Sequence, residues 1–259
     1  MLLKILLFML GLALFHTPTP QPTLRVLTYT THNEKLALEP LLDVLREADA
    51  DIVALQEAHY EAVAVFHGLL LYQYPYQTEV VFGDDNHTML MSRYPLLNVG
   101  RWPGETMQLL RAEVDVNGVT MVIYNAHPSS PGNTDYDTTL RSQQIDLLLE
   151  AAAAESAPLV IMGDFNMEEW SEDYTRLTEQ YTDAFRALYP ADEDAGFTYP
   201  DYTYPQSRRN ARLPGFTPLL LRLDYIFHSA HFEAVMAQVW PDSGGSDHRP
   251  VYAELRLTS

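Results

Sequence analysis

The stretch Leu159-Val160-Ile161-Met162-Gly163-Asp164-Phe165-Asn166 decides how this chain is read. Four apolar residues fill a buried-strand pattern, and a glycine then frees the backbone and delivers an acid and an amide at the strand's end. In an extended segment residues i and i+2 point the same way. Asp164 can therefore accept a proton or hold a metal beside an Asn166 amide that donates to an oxyanion. Gly, Asp and Asn are also ordinary turn residues. Alone, the run is a turn as readily as a site.

Other strand ends change that reading. Glu57 closes Asp51-Ile52-Val53-Ala54-Leu55-Gln56-Glu57, and His127 follows Met121-Val122-Ile123-Tyr124-Asn125-Ala126. Asp224 lies in Arg222-Leu223-Asp224-Tyr225-Ile226-Phe227, and Gly244-Gly245-Ser246-Asp247-His248-Arg249-Pro250 precedes the last strand signal. Singly, each has a plain explanation as a solvated terminus, a loop residue, an ion-pair partner or a polar turn. Together they describe one reaction. A hard divalent cation takes oxygen ligands, which Glu57 and a second acid supply. A water attacking phosphorus needs a base and an orienting group, roles suited to Asp164 and Asn166. Charge on the phosphoryl oxygens needs donors, which two histidines, an amide and the cation provide. An Asp partnered to a His fixes its tautomer and favours its protonated form. A serine hydrolase would show G-x-S-x-G and a zinc hydrolase H-E-x-x-H; the sequence contains neither.

Composition narrows the substrate. The formal charge is −19, with 35 Asp and Glu against 16 Lys and Arg, and no basic run occurs. Binding to a polynucleotide leans on neutralising its phosphates with Lys and Arg, so nucleic acid is a disfavoured partner. At 259 residues, 47% of them hydrophobic, the chain can bury a sizeable core. The absence of cysteine excludes disulfides, thiolate zinc sites and cysteine nucleophiles.

Residues 1–15 pair a short charged start with an apolar stretch of signal-peptide length, too short for a spanning helix of about 20 residues. They are expected to be a signal peptide or an N-terminal membrane anchor, which makes the protein secreted or membrane-anchored and extracytoplasmic. Residues 16–23 carry proline at every second position from Pro18 to Pro22 and read as an extended linker. Residues 24–259 then form one domain. Strands are expected at 24–29, 51–56, 223–227, 234–239 and 251–257. Leu38, Leu41, Leu42 and Leu45 lie at helical spacing, and 139–155 reads as a long helix. Asn117-Gly118, between two apolar runs, predicts a hairpin. Hairpins mixed with helices point to antiparallel or mixed sheets covered by helices.

These residues resemble the endonuclease/exonuclease/phosphatase (DNase I-like) superfamily from about Leu24 to Leu257. Its motifs occur in the family's order: R-V-L-T-Y, L-Q-E, N-x-H, G-D-F-N, R-x-D-Y-I and S-D-H-R-P-V. The resemblance implies an α+β fold, a four-layer α/β/β/α sandwich in which two packed mixed sheets are flanked by helices. It implies a metal-dependent phosphoric ester hydrolase that uses Mg²⁺ or Mn²⁺ and cleaves a phosphodiester by in-line attack of an activated water. By the resemblance Glu57 is the metal ligand and Asp247 orients the site or approaches the metal. Asp164 positions or deprotonates the water, Asn166 contacts the phosphate, His127 and His248 stabilise the transition state, and Asp224 pairs with His248. Asn33 and Arg222 are expected to bind substrate. The pattern departs at Thr30, where the family usually places Asn; Thr30 is expected behind the metal and phosphate, with a hydroxyl in place of the amide.

The segment from Thr198 to Leu221, with several aromatics and with Arg208, Arg209 and Arg212, reads equally as a solvated loop or a substrate-facing lid. A small-molecule or lipid phosphodiester is the favoured substrate of a monomer. Two alternatives stay open: a secreted DNA or RNA endonuclease, and a catalytically inactive binding protein of the same fold.

Overall fold

The computed structural model describes residues 23–31, 37–82, 86–101, 108–131, 137–190, 196–200 and 220–258. The N-terminal segment and nearly all of the linker, Asn33, and most of the basic aromatic segment, including Arg208, Arg209 and Arg212, lie outside the described residues.

The chain order is β1 Thr23–Thr30, α1 Leu38–Ala48, β2 Ile52–His59, α2 Tyr60–Leu69, β3 Tyr76–Phe82, β4 Asn86–Ser92, β5 Leu96–Arg101, β6 Gln108–Val116 and β7 Val119–His127. It continues with α3 Thr139–Ala153, β8 Leu159–Asp164, α4 Glu172–Thr178, β9 Thr182–Asp183, α5 Ala184–Leu188, β10 Asp224–His228, β11 Phe232–Val239 and β12 Val251–Leu257. Two six-stranded sheets result, ordered β11-β12-β1-β2-β4-β3 and β5-β6-β7-β8-β10-β9. Both are mixed: β1 and β2 run parallel, as do β7 and β8, among antiparallel neighbours.

Side-chain parity builds the layers. On β1, Leu24 and Val26 enter the layer between the sheets, while Leu27 and Tyr29 face α1 and α2. On β8, Val160 and Met162 point between the sheets, and Leu159 and Ile161 face α3 and α4. Three apolar layers separated by two sheets are what a four-layer α/β/β/α sandwich requires. The hairpin at Asn117-Gly118 forms as its sequence predicts. Both residues take positive φ, 54° and 88°, and Asp115 Oδ1 accepts from the Gly118 N–H at 2.7 Å.

The same parity places the site. Thr28 and Thr30 on β1, Gln56 on β2, Asn125 and His127 on β7, Asp164 on β8 and Asp224 on β10 all continue the inter-sheet face of their strands. The filling between the sheets therefore turns from apolar to polar at one end. Asp224 stands directly opposite Asp164 in the β8–β10 ladder.

Gly163 has a specific steric duty in bringing Asp164 there. A Cβ at this position would sit 1.8 Å from the carbonyl oxygen of Ala126 on the neighbouring strand, at φ 156°. The Gly163→Ala variant is expected to lose at least about 2 kcal/mol of stability through overpacking. For a chain of this size that is a fall in melting temperature of roughly 5 °C or more. An unchanged thermal melt would show that β7 and β8 do not approach this closely.

Candidate active site

The β2 strand delivers Glu57 through an irregularity. Its register with β4 runs to Leu55 opposite Met89 and resumes with Ala58 opposite His87, so β2 carries one extra residue. Glu57 takes φ 51° there. Gln56 faces the other sheet, and Ala58 already belongs to the helix-side layer. The bulge thus lets Gln56 and Glu57 both serve the inter-sheet side, which strict alternation forbids. Glu57 Oε1 lies 3.5 Å from His127 Nε2. Its side chain keeps 29% of its surface exposed, against 2% for Asp164 and none for Asp224.

His127 and His248 are buried in opposite electrostatic settings. His127 Nδ1 meets the side-chain oxygen of Gln108 at 3.0 Å, and that oxygen also accepts from Thr88. The N–H of His127 is therefore on Nδ1, and Nε2 looks toward Glu57 and, at 3.7 Å, Asp164. Burial pulls the His127 pKa below its usual value despite the attraction of Glu57. Burial opposes the charge of His248 too. There Asp224 and Asp164 more than offset it and raise the pKa to about 10. His248 Nδ1 donates to Asp224 Oδ2 at 2.8 Å, and its Nε2 is 3.9 Å from Asp164 Oδ2.

Asp164 is sealed from solvent. Burial first, and the Asp224 carboxylate second, push its pKa well above the usual carboxylate range. Its Oδ1 accepts the Asn166 N–H at 2.8 Å, closing a turn in which Asn166 takes φ 49°. One amide hydrogen of Asn166 goes to the Pro128 carbonyl at 3.0 Å. The Asn166 carbonyl accepts from the buried Arg141, which is also paired with Asp173 at 2.9 Å. Asn166 is held from three directions.

Thr30 is placed behind His248. Its hydroxyl donates to Asp224 Oδ1 at 2.9 Å, so both oxygens of Asp224 are engaged, one by Thr30 and one by His248. The Ser246 hydroxyl donates to the Thr30 carbonyl at 2.7 Å and accepts the His248 N–H at 3.0 Å. Ser246 anchors the loop that carries Asp247 and His248. Asp247 is half-buried beside His248 and adds to the pull that keeps the imidazole charged.

Arg222 is not brought to the site. Its guanidinium is 3% exposed, bound to Glu169 Oε1 at 2.6 Å and to Asp183, and lies over the rings of Phe185 and Tyr225. A cation so neutralised and enclosed has no donor for a substrate. The expectation that Arg222 binds substrate is corrected on that ground. Gln56, Asn125, Gln108, Arg141 and Ser246, and Thr198, whose hydroxyl accepts the Asp224 N–H at 3.3 Å, orient the site without having been assigned roles from sequence. Gln56 and Asn125 carried the one available signal, a polar residue at an inward position of an otherwise apolar strand.

Oxygen donors suit a hard cation. Asp164, Asp224 and His248 offer ligand atoms within 4.8 Å of one another. A protonated His248 donating to Asp224 has no lone pair to give, however, so within that group only the carboxylates qualify.

Two packed mixed sheets with acids, amides and a paired histidine at one end of the layer between them define a phosphoesterase scaffold of the DNase I-like kind. The chain belongs to the endonuclease/exonuclease/phosphatase family, whose model matches residues 29–248. A comparison with curated proteins returned no significant match. Among solved structures, truncated Caenorhabditis elegans TDP2 is 19% identical with a TM-score of 0.71, covering 91% of this chain and 98% of its own. D. rerio TDP2 complexed with a single-strand DNA product is 17% identical with a TM-score of 0.72, over 91% of this chain and 99% of that one. An endonuclease/exonuclease/phosphatase from Bacteroides vulgatus is 18% identical with a TM-score of 0.72, over 92% and 100%.

The opposed settings of the histidines can be read directly. In the metal-free protein at pH 8, ¹⁵N-histidine NMR is expected to show both ring nitrogens of His248 protonated and His127 neutral with Nε2 bare. Asp224→Asn should lower the pKa of His248. A neutral His248 at pH 8 in the unmutated chain would refute this assignment of charge.

Proposed function

We propose that this protein is a divalent-metal-dependent phosphodiesterase acting on a small-molecule or lipid-headgroup phosphodiester by in-line attack of an activated water. The observation that carries the reading is the convergence of Glu57, His127, Asp164, Asn166 and the Asp224–His248 pair on one polar end of the inter-sheet layer.

Each side chain has a chemical task. Asp164, with its raised pKa, is a stronger proton acceptor than an ordinary carboxylate and takes the proton of the attacking water. Asn166 is fixed by its own turn and by Pro128, which leaves its second amide hydrogen for the water or a phosphoryl oxygen. His248, held as imidazolium by Asp224, presents Nε2–H to the charge that develops on phosphorus. His127 turns Nε2 to the same space and, on taking a proton beside Glu57, becomes a second donor. Glu57, joined by Asp247 from the last motif, would hold Mg²⁺ or Mn²⁺. The cation would supply positive charge to the phosphoryl oxygens, and the oxygen donors and the lack of any thiolate fit such an ion.

The acidic composition supports a small or lipid substrate over a polynucleotide. The second reading is a nuclease, supported by the single-strand DNA product held by the D. rerio relative. Residues 1–15 support an extracytoplasmic location through their signal-peptide composition.

The test is a screen of bis-p-nitrophenyl phosphate, a phosphomonoester, sphingomyelin and plasmid DNA, each with Mg²⁺, with Mn²⁺ and in EDTA. Diester hydrolysis is expected only with metal, and DNA cleavage only weakly and at low salt. Full turnover in chelator with metal verified absent would refute the chemistry, and DNA binding that persists at physiological salt would promote the nuclease. Asp164→Asn and His248→Ala should each lower kcat by about 10²-fold or more, the usual cost of a lost base or oxyanion donor. Near-normal turnover in either variant would remove that residue from the mechanism.

A further inference from the structure

The bulge that presents Glu57 is gripped from the opposite sheet by one side chain. Asn125 on β7 is fully buried. Its amide nitrogen donates to the carbonyl of Leu55 at 3.0 Å and to the carbonyl of Met89 at 2.9 Å. Those two residues form the last regular pair of β2 and β4 before the extra residue enters. Its side-chain oxygen accepts from Gln56 Nε2 at 2.7 Å, and Gln56 is the first residue of the bulge. The hydroxyl of Thr28 donates to the side-chain oxygen of Gln56 at 3.2 Å, which fixes which way that amide faces.

We propose that Asn125 is a positioning residue for Glu57: it clamps the Gln56–Glu57 bulge across the inter-sheet gap and so sets where the Glu57 carboxylate meets a metal. The two donors and the acceptor of this amide match two backbone carbonyls and one amide hydrogen on the facing sheet. No apolar residue of similar volume reproduces that match. An apolar side chain in its place would take the acceptor from the buried Gln56 amide, and a buried polar group left without its partner is disfavoured. The left-handed backbone of Glu57 adds a reason for the clamp. A non-glycine residue at φ 51° persists only where its surroundings over-determine it, and here the grip comes from the two preceding residues, Leu55 and Gln56, and from Met89 of β4. His127 lies two residues beyond Asn125 on the same face of β7, so the clamp also sets the 3.5 Å approach of Glu57 to His127 Nε2.

The inference rests on the reading of Glu57 as a metal ligand, and the test separates the two. Binding of Mn²⁺ to the full chain is measured by electron paramagnetic resonance without substrate, beside thermal melts, for the unmutated chain, Glu57→Gln and Asn125→Asp. Asn125→Asp keeps the shape and removes the donors to Leu55 and Met89. The expected result is weaker Mn²⁺ binding in Glu57→Gln and a rise of about 10-fold or more in the Mn²⁺ dissociation constant of Asn125→Asp, the usual size for a group that orients a ligand. Both variants should keep a cooperative melt. Weakened binding in Glu57→Gln with unmutated affinity in Asn125→Asp would overturn the clamp and leave the ligand reading standing. Unmutated affinity in Glu57→Gln would overturn the ligand reading and the clamp with it. If Asn125→Asp does not fold, Gln56→Leu takes its place, since it keeps both donors of Asn125 and removes the donor that orients it, along with the acceptor that meets the Thr28 and Thr30 hydroxyls; a several-fold loss of Mn²⁺ affinity is then expected. Failure of both variants to fold would assign the network to folding and overturn the proposal.

Discussion

Two sheets packed face to face must fill the space between them, and everything catalytic in this protein follows from filling one end of that space with polar groups. A buried polar group costs free energy unless it is paired. The inward residues at this end therefore form an interlocking set. Thr28 and Gln56 pair, Gln56 and Asn125 pair, Thr30 holds Asp224, Asp224 holds His248, and Gln108 holds His127. Asp224, His248 and His127 are each fixed by a polar side chain beside them. Such a network acts as a unit, because loss of one member leaves its neighbours unsatisfied in a low-dielectric setting.

The apolar remainder of the same layer makes this arrangement affordable. Val26, Ile52, Ala54, Ile123, Val160, Met162 and Ile226 continue the inward faces of the very strands that end in the site. The site is thus mounted largely on strand ends whose positions are fixed by a close-packed core, and Glu57 and Asn166 reach it through local left-handed turns of the backbone. Rigid mounting suits a reaction in which positioning and preorganised charge do most of the work.

How much of this was legible before the structure follows from what each feature depends on. Asp164 could be placed because it closes an apolar run and Asp224 because it opens one, where parity can be counted from the sequence alone. His127 was legible for the same reason. The bulge was not, since an extra residue in β2 is defined only against β4, and the sequence shows no glycine there to mark it. Thr30 was expected behind metal and phosphate, but its partner Asp224 lies on the other sheet, and no local pattern reveals that contact. Arg222 was misread because its partners, Glu169 and Asp183, come from segments distant in sequence. Short elements such as α4, β9 and α5 escaped because tertiary contacts decide them more than periodicity does.

Charge balance is the constraint that joins the site to its surroundings. Glu57, Asp164, Asp224 and Asp247 bring four carboxylates to the neighbourhood of a single imidazolium at His248, within a chain already at −19. Asp164 responds to that crowding by retaining its proton to higher pH than a solvated carboxylate would. Under the proposed reading a phosphodiester would add a further negative charge on entry. With His127 held toward neutrality by burial, His248 alone does not offset both the carboxylates and the substrate. On that reading a bound cation would supply further countercharge, with Glu57, the accessible acid, as its proposed ligand. Under the proposed reading, the same negative charge favours one phosphate accompanied by a cation over a long polyanion.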